Sequence, residues 1–262
     1  MKVRPRQFQA GPLAVGVYET KEILGREAAG EAATHIQNAI NERGRARLVM
    51  AAANSQLEML ENLVAAKGID WSVVEVFHLD EYVGLPSTHP ASFGGFVKKQ
   101  FVDRVHPGKV NYFHGEAADT VAECERYAAL LLEEPIDVTF LGIGENGHIA
   151  FNDPHEADFN DPRTVRTVTL DERCRLQQVG EGHFPNLESV PKGGYTLTCP
   201  MAIKAAHLIC CVPGAHKAEA VRNTLEGPIS TACPGSILRT CRNAKLFLDV
   251  HSASLLAAEQ GR

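Results

Sequence analysis

The run Ile136-Asp137-Val138-Thr139-Phe140-Leu141-Gly142-Ile143-Gly144-Glu145-Asn146-Gly147-His148-Ile149-Ala150-Phe151-Asn152-Asp153-Pro154 decides how the chain is read. Its first six residues form a largely apolar strand that runs straight into three glycines. Strands of this kind belong to parallel sheets covered on both faces. The glycines let backbone come close to a ligand. His148 follows at once, with Glu145 three residues before it and Asp153 five after. Imidazole and carboxylate together move protons near neutral pH. The plain alternative for His148 is a hydrogen-bonded polar residue without chemistry. Its place past a strand end, where open α/β sheets put ligands, favours the chemical reading. For Glu145 an exposed loop acid explains as much as a role does.

Gly142, Gly144 and Gly147 match the spacing of a dinucleotide fingerprint, but their context does not. That fingerprint opens a long helix, and Pro154, seven residues after Gly147, blocks one. The glycine loop is read instead as a cradle whose N–H groups face a small substrate, with Gly144 among the binding residues.

The same pattern extends along the chain. Helical spacing covers 21–43, 56–67, 91–105, 120–134, 171–179 and 215–225. Strand patterns cover 46–53, 71–79, 110–113, 136–141, 165–170, 195–198, 207–212 and 244–250, with a short helix expected from Ser252. Such alternation implies βαβ units and a mainly parallel sheet. At 262 residues and 44% hydrophobic composition the chain suits a single α/β domain spanning 1–262. Residues 155–191 are the least regular part. They read as a surface excursion whose position also permits a lid over the site.

Formal charge is −6, without a Lys/Arg cluster, so no nucleic-acid partner is expected. No stretch approaches a membrane span, and 1–16 does not make a signal peptide. Seven scattered cysteines read as buried free thiols of a reducing, cytoplasmic setting.

Three further strand ends carry polar groups. Phe77-His78-Leu79-Asp80-Glu81-Tyr82-Val83-Gly84-Leu85-Pro86 puts two acids after an apolar run, where desolvation makes a carboxylate a better base. The alternative for Asp80 is a turn cap. Ala51-Ala52-Ala53-Asn54-Ser55-Gln56 offers small residues and a helix start, a natural anion seat, although Asn54 or Ser55 can equally serve as an N-cap. Pro213-Gly214-Ala215-His216-Lys217 puts a lysine in a first helical turn, against the helix dipole, which a bound anion explains.

Residues 77–89 and 141–154, Val190-Pro191-Lys192 before a strand, and Pro213-Gly214 with Lys217 together resemble the glucosamine-6-phosphate deaminase/isomerase family. The similarity is collinear from about Ala33 to Val250, and the broader group also holds 6-phosphogluconolactonases. The resemblance implies a three-layer α/β fold with a doubly wound parallel sheet and helices on both faces. It implies conversion of glucosamine 6-phosphate and water to fructose 6-phosphate and ammonia, with no metal and no organic cofactor. It assigns ring opening to His148, support of that histidine to Asp153, proton transfer from C2 to C1 to Asp80, and phosphate binding to Lys217. Asn146 falls where members carry Asp or Asn. Asn54, Ser55, Gln56, Glu81 and Gly144 complete the expected binding set. Self-association into a homo-oligomer is left open.

One departure is Asp153, which stands where the family usually has Glu and is one methylene shorter; the others lie in the phosphate half. The family's loop is rich in Gly, Ser and Thr, and here it is AAANSQ. A family arginine would fall near Gln177-Gln178, with Arg173 and Arg175 the nearest substitutes. Two other readings therefore stand beside the deaminase. One is a phosphosugar lactonase that uses His148 to activate water and has little need of Asp80. The other is a non-catalytic sugar-phosphate sensor.

Overall fold

The computed structural model describes residues 6–257, and residues 1–5 lie outside it, so only part of the 1–16 segment can be compared. The chain opens on a hairpin, β1 (Arg6–Ala10) and β2 (Leu13–Tyr18). Helix α1 follows (Lys21–Arg43), capped by the Thr20 side chain at its start and by left-handed Gly44 at its end. Then come β3 (Ala46–Met50), α2 (Leu57–Val64), β4 (Val74–His78) and the short β5 (Asp80–Tyr82).

A continuous helical stretch contains α3 (Phe93–Val97), a π turn (Lys98–Val102) and α4 (Asp103–Val105). It leads to β6 (Lys109–Val110), α5 (Thr120–Leu132) and β7 (Val138–Leu141). Next are β8 (Val165–Thr169), α6 (Glu172–Gly180), β9 (Gly193–Leu197) and α7 (Cys199–Ala202). The last elements are β10 (His207–Val212), α8 (Ala218–Glu226) and β11 (Ala244–Asp249). Turns replace the helix expected from Ser252.

Eight strands form one sheet in the order β1-β2-β11-β10-β7-β3-β4-β6. All its pairings are parallel except that of β1 with β2. Side chains alternate between two cores, as strand geometry requires. Leu48, Val76, Phe140, Ile209 and Phe247 pack beneath α1 and α2, and Val49, Phe77, Leu141, Cys210 and Leu246 pack against the opposite face. This is the three-layer arrangement expected.

The order of chain growth places the site. From β3 the chain moves outward through β4 and β6, then returns to the other side of β3 with β7, β10 and β11. The direction reverses between β3 and β7, and ligands bind outside the carboxyl ends of strands at such a reversal. A second, antiparallel sheet of β5, β9 and β8 stands over that end. It has its own apolar cluster, which includes Tyr82, Phe93, Phe151, Cys174 and Phe184. All seven cysteines are free, six of them buried and Cys124 partly so. No described helix is long and apolar enough to cross a membrane.

Candidate active site

A cavity of about 300 Å³ opens at the carboxyl ends of β3, β4, β7 and β10. It is large enough for a phosphorylated hexose. Asp80, His148, Gly144, Asn54, Ser55 and Lys217 all line it.

Asp80 arrives there because the chain changes sheets. Leu79 N–H still donates to Met50 O (3.0 Å), while Leu79 O accepts from Leu197 N–H (2.9 Å), and Asp80 then pairs with Thr196 of β9. His78 holds the turn from beneath. Its Nε2 accepts from Phe113 N–H (3.1 Å), so its Nδ1 carries the proton and donates to Asp80 O (2.8 Å). Burial pushes the His78 imidazole below its ordinary pKa, which suits this neutral form. The Tyr127 hydroxyl locks the same residue by accepting from His78 N–H (2.8 Å) and donating to His78 O (2.9 Å). The Asp80 carboxylate has no hydrogen-bond partner among the described residues and is 7% exposed. Leu79, Phe93 and Phe151 line the cavity beside it. Burial, then the charge of Glu81, raises its pKa well above the usual carboxylate value.

His148 is held by a closed network. Asn146 Nδ2 donates to Asp153 Oδ1 (2.8 Å) and Asp171 Oδ2 (3.0 Å). Two carboxylate acceptors fix the amide orientation, so Asn146 Oδ1 must face His148. It accepts from the His148 backbone N–H (3.1 Å) and from Nδ1 (2.7 Å). Asp153 Oδ1 lies 3.1 Å from the same Nδ1. The ring proton therefore sits on Nδ1, and Nε2 keeps its lone pair free. Burial raises the pKa of Asp153, but the hydrogen bond and charge of His148, then the Asn146 amide and Asp171 N–H, outweigh it and leave the carboxyl below its usual value.

Gly144 is obligatory, because a Cβ there would lie 2.2–2.4 Å from the His148 ring atoms. Gly147 adopts φ +86°, which L-residues with side chains avoid. No helix follows it until α6, so the glycine triplet does not open the long helix of a dinucleotide turn. Metal-ligating atoms of His148, Asp153 and Cys174 also lie within 4.8 Å of one another, as do those of Asp153, His155 and Asp171. In these groups Asp153, Asp171 and His148 Nδ1 are engaged in the network just described, and His155 Nε2 lies 2.9 Å from Thr169 O.

Several expected site residues stand elsewhere. Glu81 does not line the cavity. Its carboxylate accepts from Ser92 Oγ (2.8 Å), Phe93 N–H (3.1 Å) and Gly94 N–H (2.9 Å) at the start of α3. Neighbours on a strand face opposite sides, so Asp80 and Glu81 cannot both point inward. Gln56 is fully buried beneath the loop. Its Nε2 donates to Ser55 Oγ (3.0 Å), Leu141 O (3.1 Å) and Cys211 O (3.4 Å), tying the ends of three strands together.

Neither proposed arginine reaches the cavity. Arg175 donates to Leu187 O (2.5 Å) and Val190 O (3.0 Å), and Arg173 is exposed near Glu219. Asn54 and Ser55 do line it, and neither caps the turn with its side chain. Asp171 and His78 were not singled out. Asp171 could be read only as the N-cap of α6, which it also is, accepting from Cys174 N–H (2.6 Å).

The segment 155–191 supplies one wall through Gln177, Gln178, Glu181 and His183. Lys217 is 5% exposed, and its ammonium has no hydrogen bond or ion pair among the described residues.

A model of glucosamine-6-phosphate isomerases/6-phosphogluconolactonase matches residues 19–247. A glucosamine-6-phosphate deaminase of Rhodococcus opacus is 36% identical over 90% of this chain and 92% of its own length. One from Pseudarthrobacter chlorophenolicus is 36% identical over 86% and 87%. The solved structure of a monomeric glucosamine-6-phosphate deaminase superposes with a TM-score of 0.82 at 31% identity, covering 92% of this chain and 99% of that one. A 6-phosphogluconolactonase of Shewanella baltica, at 21% identity and a TM-score of 0.72 over 90% and 96%, shares the fold. The chain belongs to the glucosamine-6-phosphate isomerase/6-phosphogluconolactonase family of enzymes.

Proposed function

We propose that this protein is a hexosamine-phosphate deaminase and isomerase, converting glucosamine 6-phosphate and water to fructose 6-phosphate and ammonia. One observation carries the proposal. An unpaired, desolvated carboxylate (Asp80) and a free imidazole nitrogen (His148 Nε2) line the same cavity.

The chemistry needs both groups. Nε2 of His148 takes the proton of the anomeric hydroxyl and passes it to the ring oxygen, which opens the pyranose. The Asn146–Asp153 pair keeps the other nitrogen protonated and stabilises the transient imidazolium, as buried carboxylates do beside catalytic histidines. Asp80 then takes the C2 proton of the open aldehyde and returns it at C1 while an amino proton passes to O1, leaving a C1 hydroxyl and a C2 imine. Water adds to that carbon and ammonia leaves. A carboxylate of raised pKa is the stronger base for a carbon acid. Lys217 and the Asn54–Ser55 turn hold the phosphate.

Ammonia release from glucosamine 6-phosphate tests the proposal, with Asp80→Asn as the control. Wild type is expected to release ammonia and the variant to lose about a thousandfold in rate. Hydrolysis of 6-phosphogluconolactone by both proteins, with no ammonia from either, would favour the lactonase reading instead.

A further inference from the structure

The described lining of the cavity contains no arginine but two lysines, Lys21 and Lys217. The acids Glu58, Asp80 and Glu181 face the same space, with His148, His183 and His216. Asp80 and His148 belong to the proton-transfer half. Of the other acids, Glu181 accepts from Gln177 Nε2 (2.6 Å) with His183 Nε2 3.5 Å away, and Glu58 Oε1 lies 2.5 Å from the Lys21 ammonium. A phosphate monoester brings up to two further negative charges at neutral pH. Lys217 alone does not balance them against this wall.

Three features of the fold bring Lys21 there. Strand β2 runs parallel to β11, and β11 to β10, so all three end on the cavity side, with Tyr18 beside Asp249. Thr20 caps α1, its Oγ1 accepting from Ile23 N–H (3.3 Å), which makes Lys21 the first helical residue at that end. One turn on, Gly25 lets α1 touch α2, because a Cβ there would lie 2.6 Å from Glu58 C and Cβ. Residues four apart share a helix face, so Lys21 meets Glu58. The hydrogen bond and then the charge of Glu58 raise the Lys21 pKa, whereas burial lowers that of Lys217. An ammonium has three donors, and Glu58 takes one.

We infer that Lys21 is a second phosphate-binding residue, held at the cavity by Glu58 and supplying the positive charge that an arginine would otherwise bring. The inference rests on the proposed deaminase reading and deepens its substrate recognition. Lysine serves phosphate as a point charge on a flexible stem, and a fixed carboxylate beside it limits where the ammonium can go. Glu58 therefore positions Lys21, and the remaining donors turn to the phosphate. Lys21 and Lys217 then meet the two charges of the ester from α1 and from the start of α8.

Binding of fructose 6-phosphate, the proposed product, is measured by calorimetry without ammonium in wild type, Lys21→Met, Lys21→Arg and Glu58→Gln. KM and kcat for glucosamine 6-phosphate are measured in the same proteins. The Lys21 side chain is 55% exposed, so its replacement leaves the core intact. Lys21→Met is expected to weaken binding and raise KM about tenfold, the loss of one charge-assisted hydrogen bond, with kcat kept. Lys21→Arg keeps the charge and should stay close to wild type. Glu58→Gln removes a negative charge and should bind at least as tightly as wild type. Wild-type affinity in Lys21→Met would overturn the inference. So would an equal loss in Glu58→Gln, because a merely structural ion pair is broken by either change. Absence of fructose 6-phosphate binding in wild type would overturn it as well. The expected binding pattern without ammonia release counts against the proposed reaction alone and leaves Lys21 a phosphate ligand.

Discussion

The two halves of the cavity are built to different standards. Around His148 each polar group answers another. The Asn146 amide serves two carboxylates, Asp153 and Asp171, and presents its oxygen to the imidazole. Around Lys217 the ammonium has no hydrogen bond or ion pair among the described residues, and burial pushes its pKa below the ordinary lysine value. The first half is fixed before substrate arrives, which is what proton transfer between defined atoms requires. The second half draws its polar groups from the Asn54–Ser55 turn, Lys217 and the end of α6. On the proposed reading, proton transfer and phosphate binding fall to separate parts of one cavity.

The same contrast appears within the catalytic half. Asp80 and Asp153 are both buried, yet their pKa values move in opposite directions. The Asp80 carboxylate has no hydrogen-bond partner among the described residues and feels burial and the charge of Glu81, while Asp153 has His148, Asn146 and a backbone N–H. Environments that separate two carboxylates in this way assign their roles, one a base and the other a permanent anion.

Asp80→Asn should have the largest effect, a loss of about a thousandfold in kcat with substrate binding retained. Stability should move the other way. The folded protein holds the Asp80 pKa above its unfolded value, so the charge costs stability as pH rises past the ordinary carboxylate range. The variant should melt roughly 2–4 °C higher at neutral pH and equal wild type in acid, by calorimetry. The raised pKa also predicts that kcat/KM in wild type falls on acidification well before an ordinary carboxylate would protonate.

Asn146→Ala should lower kcat about a hundredfold by releasing the imidazole, with a smaller change in KM. Asp153 gains stability above its ordinary pKa that is lost as pH falls through its depressed folded value. Removing Asn146 should therefore narrow that acid-side stability as well. Gly144→Ala, which drives a methyl into the His148 ring, should act on the same parameter.

Much of this was legible in sequence, because strand-end motifs report local geometry. His148 after Gly147, and Asp80 after an apolar strand, stand where the motifs placed them. What was missed depends on side-chain direction or distant pairing. Glu81 was grouped with Asp80 because the pair is adjacent, and adjacency on a strand means opposite faces. Gln56 belongs to the anion loop in sequence but turns inward to three carbonyl and hydroxyl oxygens. Asp171 lies 18 residues from Asp153, and only the packing of α6 joins them. The β1–β2 hairpin went unread because its alternation is weak and its outer strand is largely exposed.

Lys217→Met should have the smallest catalytic effect, raising KM for the phosphorylated substrate about tenfold to a hundredfold with kcat largely kept. It also removes a buried unpaired charge, so the ligand-free variant should be more stable than wild type. If kcat falls as far as KM rises, the two halves are not separable and the comparison fails.

The most direct test uses glucosamine 6-phosphate carrying deuterium at C2. If Asp80 moves that proton, wild type turns over the labelled sugar more slowly than the unlabelled one, deuterium appears at C1 of the product, and Asp80→Asn releases ammonia about a thousandfold more slowly from either. Equal rates for the two sugars in wild type, with ammonia release surviving in Asp80→Asn, would contradict the account.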